Sequence, residues 1–327
     1  MTRFGCTLLS EDHPPDRLVE LGRRAERAGF EFLAVSDHYH PWLPEQHHSP
    51  YTWTVLGALA ATTQRVELAT MVTCPIIRYH PAVVAQKAAT VAVLSGGRFT
   101  LGVGSGEQLN EHVVGRGWPA VEQRHWMLAE AIEIMKLLWR GGYRSFRGEH
   151  FTVEDARVFD LPAQPVTVAV AASGRRAAVL AARLGDALIS DQPLAELVDI
   201  YRAAGGEGAT WTQIPVCWGE DAERARQTAH DHFRFSALGW KVMAELPNPI
   251  NFAAATEAIT PESLAEEIPS GPDVDRYVNT VRSAIDAGYE NIALLQIGDE
   301  QDGFFRFWEQ ELAGRLGAAA GAVAGAG

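Results

Sequence analysis

The chain has 327 residues, 47 % hydrophobic and 21 % charged, so neither a disordered chain nor a coiled coil fits, and the length suits one large α/β barrel or two ordinary domains. Acidic residues outnumber basic ones 41 to 28, and the net charge of −13 argues against nucleic acid or an anionic membrane as the main partner. Three cysteines, Cys6, Cys74 and Cys217, are too few and too far apart for a disulfide framework or a CxxC metal pair, so a reducing, cytoplasmic home is expected. There is no signal-peptide pattern after Met1 and no apolar run of membrane-spanning length, and an unprocessed, soluble chain is expected.

In chain order, residues 4–9 and 32–36 read as strands around a helix carrying Leu18, Val19 and Leu21, a β-α-β unit. Residues 51–61 read as helix and 66–72 as strand; Val84, Ala88 and Val91 then share a helix face, and 99–103 is a strand. The most periodic helix follows, with Leu128, Ala131, Ile132, Met135, Leu138 and Trp139 on one core-facing stripe. After Gly141-Gly142 the period changes to two, which predicts a β-hairpin inserted at about 142–156. The repeat resumes with strands at 166–171, 186–190 and 214–217 and helices at 177–184 and 194–204.

Residues from about 221 to 272 fit no strand-helix unit and are expected to form a helical insertion. Helices at 274–287 and 302–316 bracket a last strand at 292–296, which makes eight strands. Eight alternating units predict an α/β fold, a single (β/α)8 TIM-barrel domain over residues 1–316 with a low-complexity Gly/Ala/Val tail at 317–327.

In such a barrel the active site lies at the C-terminal ends of the strands. The first strand leads to Glu11, and the second ends in Ser36-Asp37-His38-Tyr39-His40-Pro41-Trp42, where a carboxylate, two imidazoles and an indole follow an apolar run. A polar loop with a capping Asp is the plainer reading of such a stretch, but its position at a strand end favours chemistry. His38, His40, His47 and His48 put four histidines within eleven residues, so a zinc site must be weighed. The later strand ends offer no second imidazole, and Asp191 as the one carboxylate, so no metal is expected. The third strand runs into Thr73, Cys74 and Pro75, where a strained peptide at Met71 or Val72 would buttress a cofactor. The fourth ends in Gly104-Ser105-Gly106-Glu107-Gln108-Leu109-Asn110, whose glycines allow close backbone approach to a ligand but lack the context of a dinucleotide fingerprint. The fifth ends in Ala171-Ala172-Ser173-Gly174 and opens a helix at Arg175-Arg176, a place for a phosphate or an ordinary small-residue turn with solvated arginines.

Taken together, the segments 36–42, 73–81, 102–110 and 171–174, with Gly185-Asp186 and Gly303-Phe304-Phe305-Arg306-Phe307, resemble the coenzyme F-420-dependent glucose-6-phosphate dehydrogenase family within the bacterial luciferase-like superfamily. The resemblance implies a cofactor, coenzyme F-420 (F420, an 8-hydroxy-5-deazaflavin), lying over the barrel mouth among Asp37, Cys74, Ser105, Gly106, Asn110 and Ala171, Ala172, Ser173 and Gly174. It further implies His38 as the base for the substrate hydroxyl, hydride transfer to C5 of the deazaflavin, Glu107 as the acid beside ring N1, Trp42 packed by the reacting carbon, and Glu11 as a further acid in the pocket. Ser190 is expected to contact the substrate, and a homodimer is expected from the resemblance alone.

One departure stands out. The family's sugar-phosphate clamp of lysines and an arginine falls here on Ser190-Asp191-Gln192-Pro193, Asn248-Pro249-Ile250-Asn251 and Glu266-Glu267-Ile268-Pro269, none of which is basic. The expected activity is therefore F420-dependent oxidation of a sugar, sugar phosphate or alcohol. Reduction of a carbonyl or unsaturated substrate by reduced F420, and an FMN-dependent luciferase-like enzyme, stay open as alternatives.

Overall fold

Apolar runs buried on both faces suit strands of a parallel barrel covered by helices, and the computed structural model, which describes residues 2–317, forms one. The barrel strands are β1 (Arg3–Leu8), β2 (Phe32–Val35), β3 (Glu67–Thr70), β4 (Phe99–Val103), β7 (Thr167–Ala171), β8 (Ala187–Ser190), β9 (Thr210–Val216) and β10 (Asn291–Gln296). They close in the order β1-β10-β9-β8-β7-β4-β3-β2, every pairing parallel. Between β4 and β7 the inserted hairpin pairs β5 (Arg144–Arg147) with β6 (Thr152–Ala156) antiparallel.

Inside the barrel small and large residues alternate: Ala34, Ala69, Ala169, Ala187 and Ala293 make room for Phe32 and Trp211, whose rings meet edge to face at 4.8 Å. At Gly102 a Cβ would fall 2.0 Å from the Thr70 carbonyl oxygen, so glycine lets β3 and β4 close together there. The helix stripe of Leu128, Ala131, Ile132, Met135 and Leu138 is fully buried against the barrel wall.

Most boundaries move by one or two residues from the sequence reading, and two elements differ by more. β9 starts at Thr210, because Thr210 and Thr212 alternate with Trp211, which plugs the barrel, and Thr210 is tied to the Gly288 carbonyl at 2.7 Å. The last helix is interrupted: Gln301–Phe307 is α-helical and Trp308–Leu312 forms a wider π turn. Trp308 stacks on Phe30 at 4.2 Å there and donates to the Ala28 carbonyl. The expected tail lies outside the described residues from 318 onward.

The insertion leaves and re-enters the barrel at one point, since the Cys217 amide donates to Pro269 and the Gly271 amide to Cys217, both at 2.9 Å. Its main helix is Ala222–Phe233, followed by shorter turns including Trp240–Met243, Pro249–Ala255 and Pro261–Ala265. It is fastened over the strand ends by Asp12 to His232 at 3.1 Å, Glu45 to Arg234 at 2.8 Å, and the Gln108 amide to the Ala244 carbonyl at 3.0 Å. Phe233, Phe235, Met243, Phe252 and Leu264 of the insertion build a second apolar cluster with Leu9, Trp42 and Leu109 from the barrel loops.

Candidate active site

β1 and β2 are parallel neighbours with Leu8 beside Val35, so the residues that follow them meet above the barrel. The Ser10 and Ser36 hydroxyls lie 2.8 Å apart; Ser36 donates to Glu11 Oε1 at 2.8 Å, and Ser10 reaches Oε2 at 3.2 Å. His38 Nδ1 stands 2.6 Å from the same Oε1, a charge contact whose angle falls short of a hydrogen bond. Its Nε2 faces Glu107 Oε1 at 3.4 Å. Burial alone pushes the imidazole towards the neutral form, but Glu11 and then Glu107 outweigh it and hold His38 above its ordinary value. Burial likewise pushes the Glu11 carboxyl up, and His38 and the Ser36 hydroxyl override it, keeping Glu11 below its ordinary value.

Trp42 packs its ring edge to face on His38 at 4.9 Å. The indole is backed by Phe235, stacked at 4.9 Å, and by Phe252, edge-on at 5.1 Å. Gln46 holds the turn, its Oε1 accepting from the Trp42 and Leu43 amides at 2.9 and 3.1 Å.

Asp37 points the other way and is surrounded by protein donors. Its Oδ2 accepts from Trp53 Nε1 and Thr73 Oγ1, both at 2.8 Å, and its Oδ1 from Arg78 and Tyr79, both at 3.1 Å. Arg78 is shared with Glu111, whose Oε1 lies 3.4 Å from its Nε and whose Oε2 accepts its backbone amide at 2.7 Å. Burial raises the Glu111 carboxyl to about 7 even against Arg78. The peptide between Met71 and Val72 is cis.

Asn110 joins two strand ends: its Oδ1 accepts from the Tyr39 and His40 amides at 2.6 and 3.0 Å, and its Nδ2 donates to Glu107 at 2.5 Å. His40 turns away from His38, with Nδ1 on the Leu109 carbonyl at 3.0 Å and its ring stacked on His112 at 5.7 Å, so the HxH pair does not converge. Gly106 adopts φ +76° with Cys74 pressed against it, and Ser105 beside it is half-buried. Burial holds the Cys74 thiol well above its ordinary value.

Across the mouth, β7 ends in half-buried Ala171 and buried Ala172, then exposed Ser173 and half-buried Gly174. Gly174 starts the ten-residue helix Arg175–Leu184, whose first amides have no side-chain cap and whose first turn has no acid. Arg176 of that turn pairs with Glu122. Ser190 is buried at the end of β8, its hydroxyl donating to the Gln192 carbonyl at 2.7 Å.

The structure thus brings Glu11, His38, Trp42 and Glu107 into one contact group, with Asp37, Asn110 and the Cys74–Gly106 contact beneath and beside it. The sequence reading missed the Ser10–Ser36 pair, the Arg78–Glu111 pair and the phenylalanines behind Trp42. Only Ser36 carried a signal, its place at a strand end next to Asp37.

The luciferase-like monooxygenase family profile matches residues 1–302. The chain is 33 % identical over 332 residues to the F420-dependent glucose-6-phosphate dehydrogenase of Nakamurella multipartita, covering 98 % of both proteins. It is 36 % identical over 295 residues to the F420-dependent hydroxymycolic acid dehydrogenase of Mycobacterium tuberculosis, covering 87 % of this chain and 80 % of that one. A solved F420-dependent secondary alcohol dehydrogenase, in complex with an F420-acetone adduct, superposes with a TM-score of 0.90 at 25 % identity over 96 % of this chain and 99 % of that one.

Proposed function

The chain belongs to the luciferase-like monooxygenase family, and we propose that it is an F420-dependent oxidoreductase acting on a CH–OH donor. The observation that carries the chemistry is the His38 ring held between Glu11 and Glu107 at the barrel mouth. Bound F420 supplies a two-electron acceptor that takes hydride at C5.

The residues present suit that cofactor. The uncapped helix start at Gly174 leaves amides for its phosphate. Ala171, Ala172, Ser173, Ser105 and Gly106 offer small side chains and close backbone, and Cys74 sits under Gly106. Asp37 and Asn110 act through what they hold: Asp37 fixes the Thr73 and Arg78 loop, and Asn110 fixes the Tyr39 and His40 backbone against Glu107.

In our reading His38 Nε2 accepts the hydroxyl proton of the substrate, Glu11 stabilises the imidazolium that results, and Glu107 manages charge beside the acceptor ring. Trp42 shields the reacting carbon from water, and Ser190 borders the substrate. The raised proton affinity of His38 also suits the reverse flow, in which the imidazolium donates to a carbonyl while reduced F420 returns hydride. A homodimer and a cytoplasmic home remain part of this proposal; the three cysteines are unpaired and buried, as a reducing compartment allows.

The test is titration of the pure protein with oxidised F420 and, separately, FMN, following fluorescence quenching. F420 is expected to bind tightly and FMN weakly. Preference for FMN, or no binding of F420, overturns the reading.

A further inference from the structure

We propose that Glu111 is a proton-linked positioning residue: it takes up a proton when negative charge arrives at the turn of Gly106 and Glu107, and gives it back when that charge leaves. This inference rests on the F420-dependent reading above, which lays the deazaflavin over that turn, and it adds a residue to which that reading gave no part.

Geometry carries the first half of the argument. Glu111 closes the short helix Gln108–Glu111 and lies one helical turn after Glu107, its amide donating to the Glu107 carbonyl at 3.3 Å. Its stem runs beneath Gly106, where a Cβ would lie 3.2 Å from the Glu111 Cγ. The residue is fully buried, with 0 % exposure. Asp37 and Glu111 share one guanidinium, that of Arg78, and Glu107 adds its charge to theirs. Donors are unevenly divided among the three carboxyl groups. Asp37 accepts from Trp53, Thr73, Arg78 and Tyr79, and Glu107 accepts from Asn110 and faces His38. Glu111 accepts at Oε2 alone, from the Arg78 amide at 2.7 Å. Its Oε1 lies 3.4 Å from Arg78 Nε without a hydrogen bond and has no partner among the described residues. A buried carboxylate with one oxygen left bare is costly, and protonation removes the charge that makes it so.

Electrostatics carries the second half. Burial raises the Glu111 carboxyl to about 7; Arg78 opposes the rise, and Glu107 and Asp37 add to it. The group is therefore balanced between its two forms near neutral pH, where a change of nearby charge moves it. Hydride brings one negative charge to the group that accepts it, and in our reading Glu107 stands beside that group. The added charge raises the Glu111 midpoint by about one unit or more. The carboxylate then takes a proton from water; one O–H bond forms and no electron moves. Loss of the charge reverses the step. Of the other groups facing Glu111, Arg78 stays charged and the buried Cys74 thiol stays neutral. Lys87, on the helix Pro81–Leu94 with its Nζ 3.1 Å over the Tyr79 ring, is brought down by burial to about 7 and titrates in the same range.

The test reads Glu111 itself, because a proton count on the whole protein would include Lys87. Glutamate carboxyl carbons are labelled with carbon-13, and the Glu111 signal is assigned by its loss in Glu111→Gln, or in Glu111→Asp should the first variant not fold. We expect this signal to titrate at about 7 in the protein without cofactor and close to that value with oxidised F420. With reduced F420 the midpoint should lie higher by about one unit or more. Linkage is reciprocal, so the reduction potential of bound F420 should fall less steeply with rising pH, between about 7 and about 8, in Glu111→Gln than in the native chain. A Glu111 midpoint in the ordinary carboxylate range, or the same midpoint with oxidised and reduced F420, overturns the inference and leaves the cofactor reading standing. Failure to bind F420 in either form overturns the functional reading, and this inference with it.

Discussion

Nδ1 of His38 sits 2.6 Å from Oε1 of Glu11 while Nε2 of the same ring faces Glu107, so one imidazole is shared by two nearly buried carboxylates. In the proposed reaction the two nitrogens would have different tasks: the Glu11 side fixes the ring and favours its charged form, and the Glu107 side is the one left to exchange a proton. The ring needs to be neutral to accept a proton, and Glu11 holds it above its ordinary value of 6.5.

Oxidation should therefore quicken as pH rises through the His38 value and level off above it. Glu11→Gln removes the main charge favouring the imidazolium, so the midpoint of the kcat profile should fall by about one unit or more. The plateau should fall as well, because the imidazolium formed in the reaction has lost its stabiliser. An unmoved midpoint would show that Glu11 does not set the proton affinity of the base.

Ser36 acts on the same ring at one remove. Ser36→Ala removes the donor to Glu11 Oε1 and the contact with Ser10, so Glu11 holds its charge less well and its contact with Nδ1 loosens. We expect an about tenfold fall in kcat, in line with one hydrogen bond to a charged group, with F420 affinity unchanged and the acid limb of the profile moved to lower pH. Rescue of that limb in Ser36→Thr separates positioning of Glu11 from general loosening of the fold.

The barrel was legible because each strand is a short apolar run and each helix shows its own period, as the stripe Leu128, Ala131, Ile132 and Met135 does. The site was legible where chemistry follows directly from a strand end, as Glu11 follows β1 and His38 follows β2. Contacts between loops distant in sequence were not. Arg78 and Glu111 are separated by 33 residues, and nothing local says that they pair. Phe235 and Phe252 lie on an insertion whose docking depends on single fasteners such as Arg234 to Glu45, so no periodicity placed them behind Trp42.

Asp37 accepts from four donors that hold the loops after β2 and β3 together. Asp37→Asn halves the accepting capacity and leaves Arg78 with Glu111 as its sole carboxylate partner. Breaking one side of a buried charge cluster costs about 3–5 kcal/mol, which urea unfolding should report. A loss below about 1 kcal/mol would mean that the cluster is not what holds these loops.

Gly106 combines a left-handed backbone, φ +76°, with a contact that leaves no room, since a Cβ would lie 2.5 Å from the Cys74 sulfur. Gly106→Ala should cost about 1–3 kcal/mol and weaken F420 binding by displacing the loop. Cys74→Ala removes the sulfur but not the backbone demand, so the Gly106→Ala penalty should shrink in that background without vanishing. Equal penalties in the two backgrounds would assign the whole cost to the backbone.

The insertion over the mouth is pinned by His232, whose Nδ1 lies 3.1 Å from buried Asp12. The bond to Asp12 raises the proton affinity of His232, with burial opposing and the Asp12 charge adding, so the folded value lies above the unfolded value of about 6.5. A raised value means that the stabilisation is fully present below about pH 6.5 and is lost as pH climbs through the folded value. The His232 side chain keeps 30 % exposure, so solvent screening limits the gain to about 1 kcal/mol. Subtracting the unfolding free energy of His232→Gln from that of the native chain at each pH should give a difference that shrinks between pH 6 and pH 8, and the insertion should exchange its amide hydrogens faster in the variant at the acid end. A constant difference would mean that His232 holds the insertion by packing and not by charge.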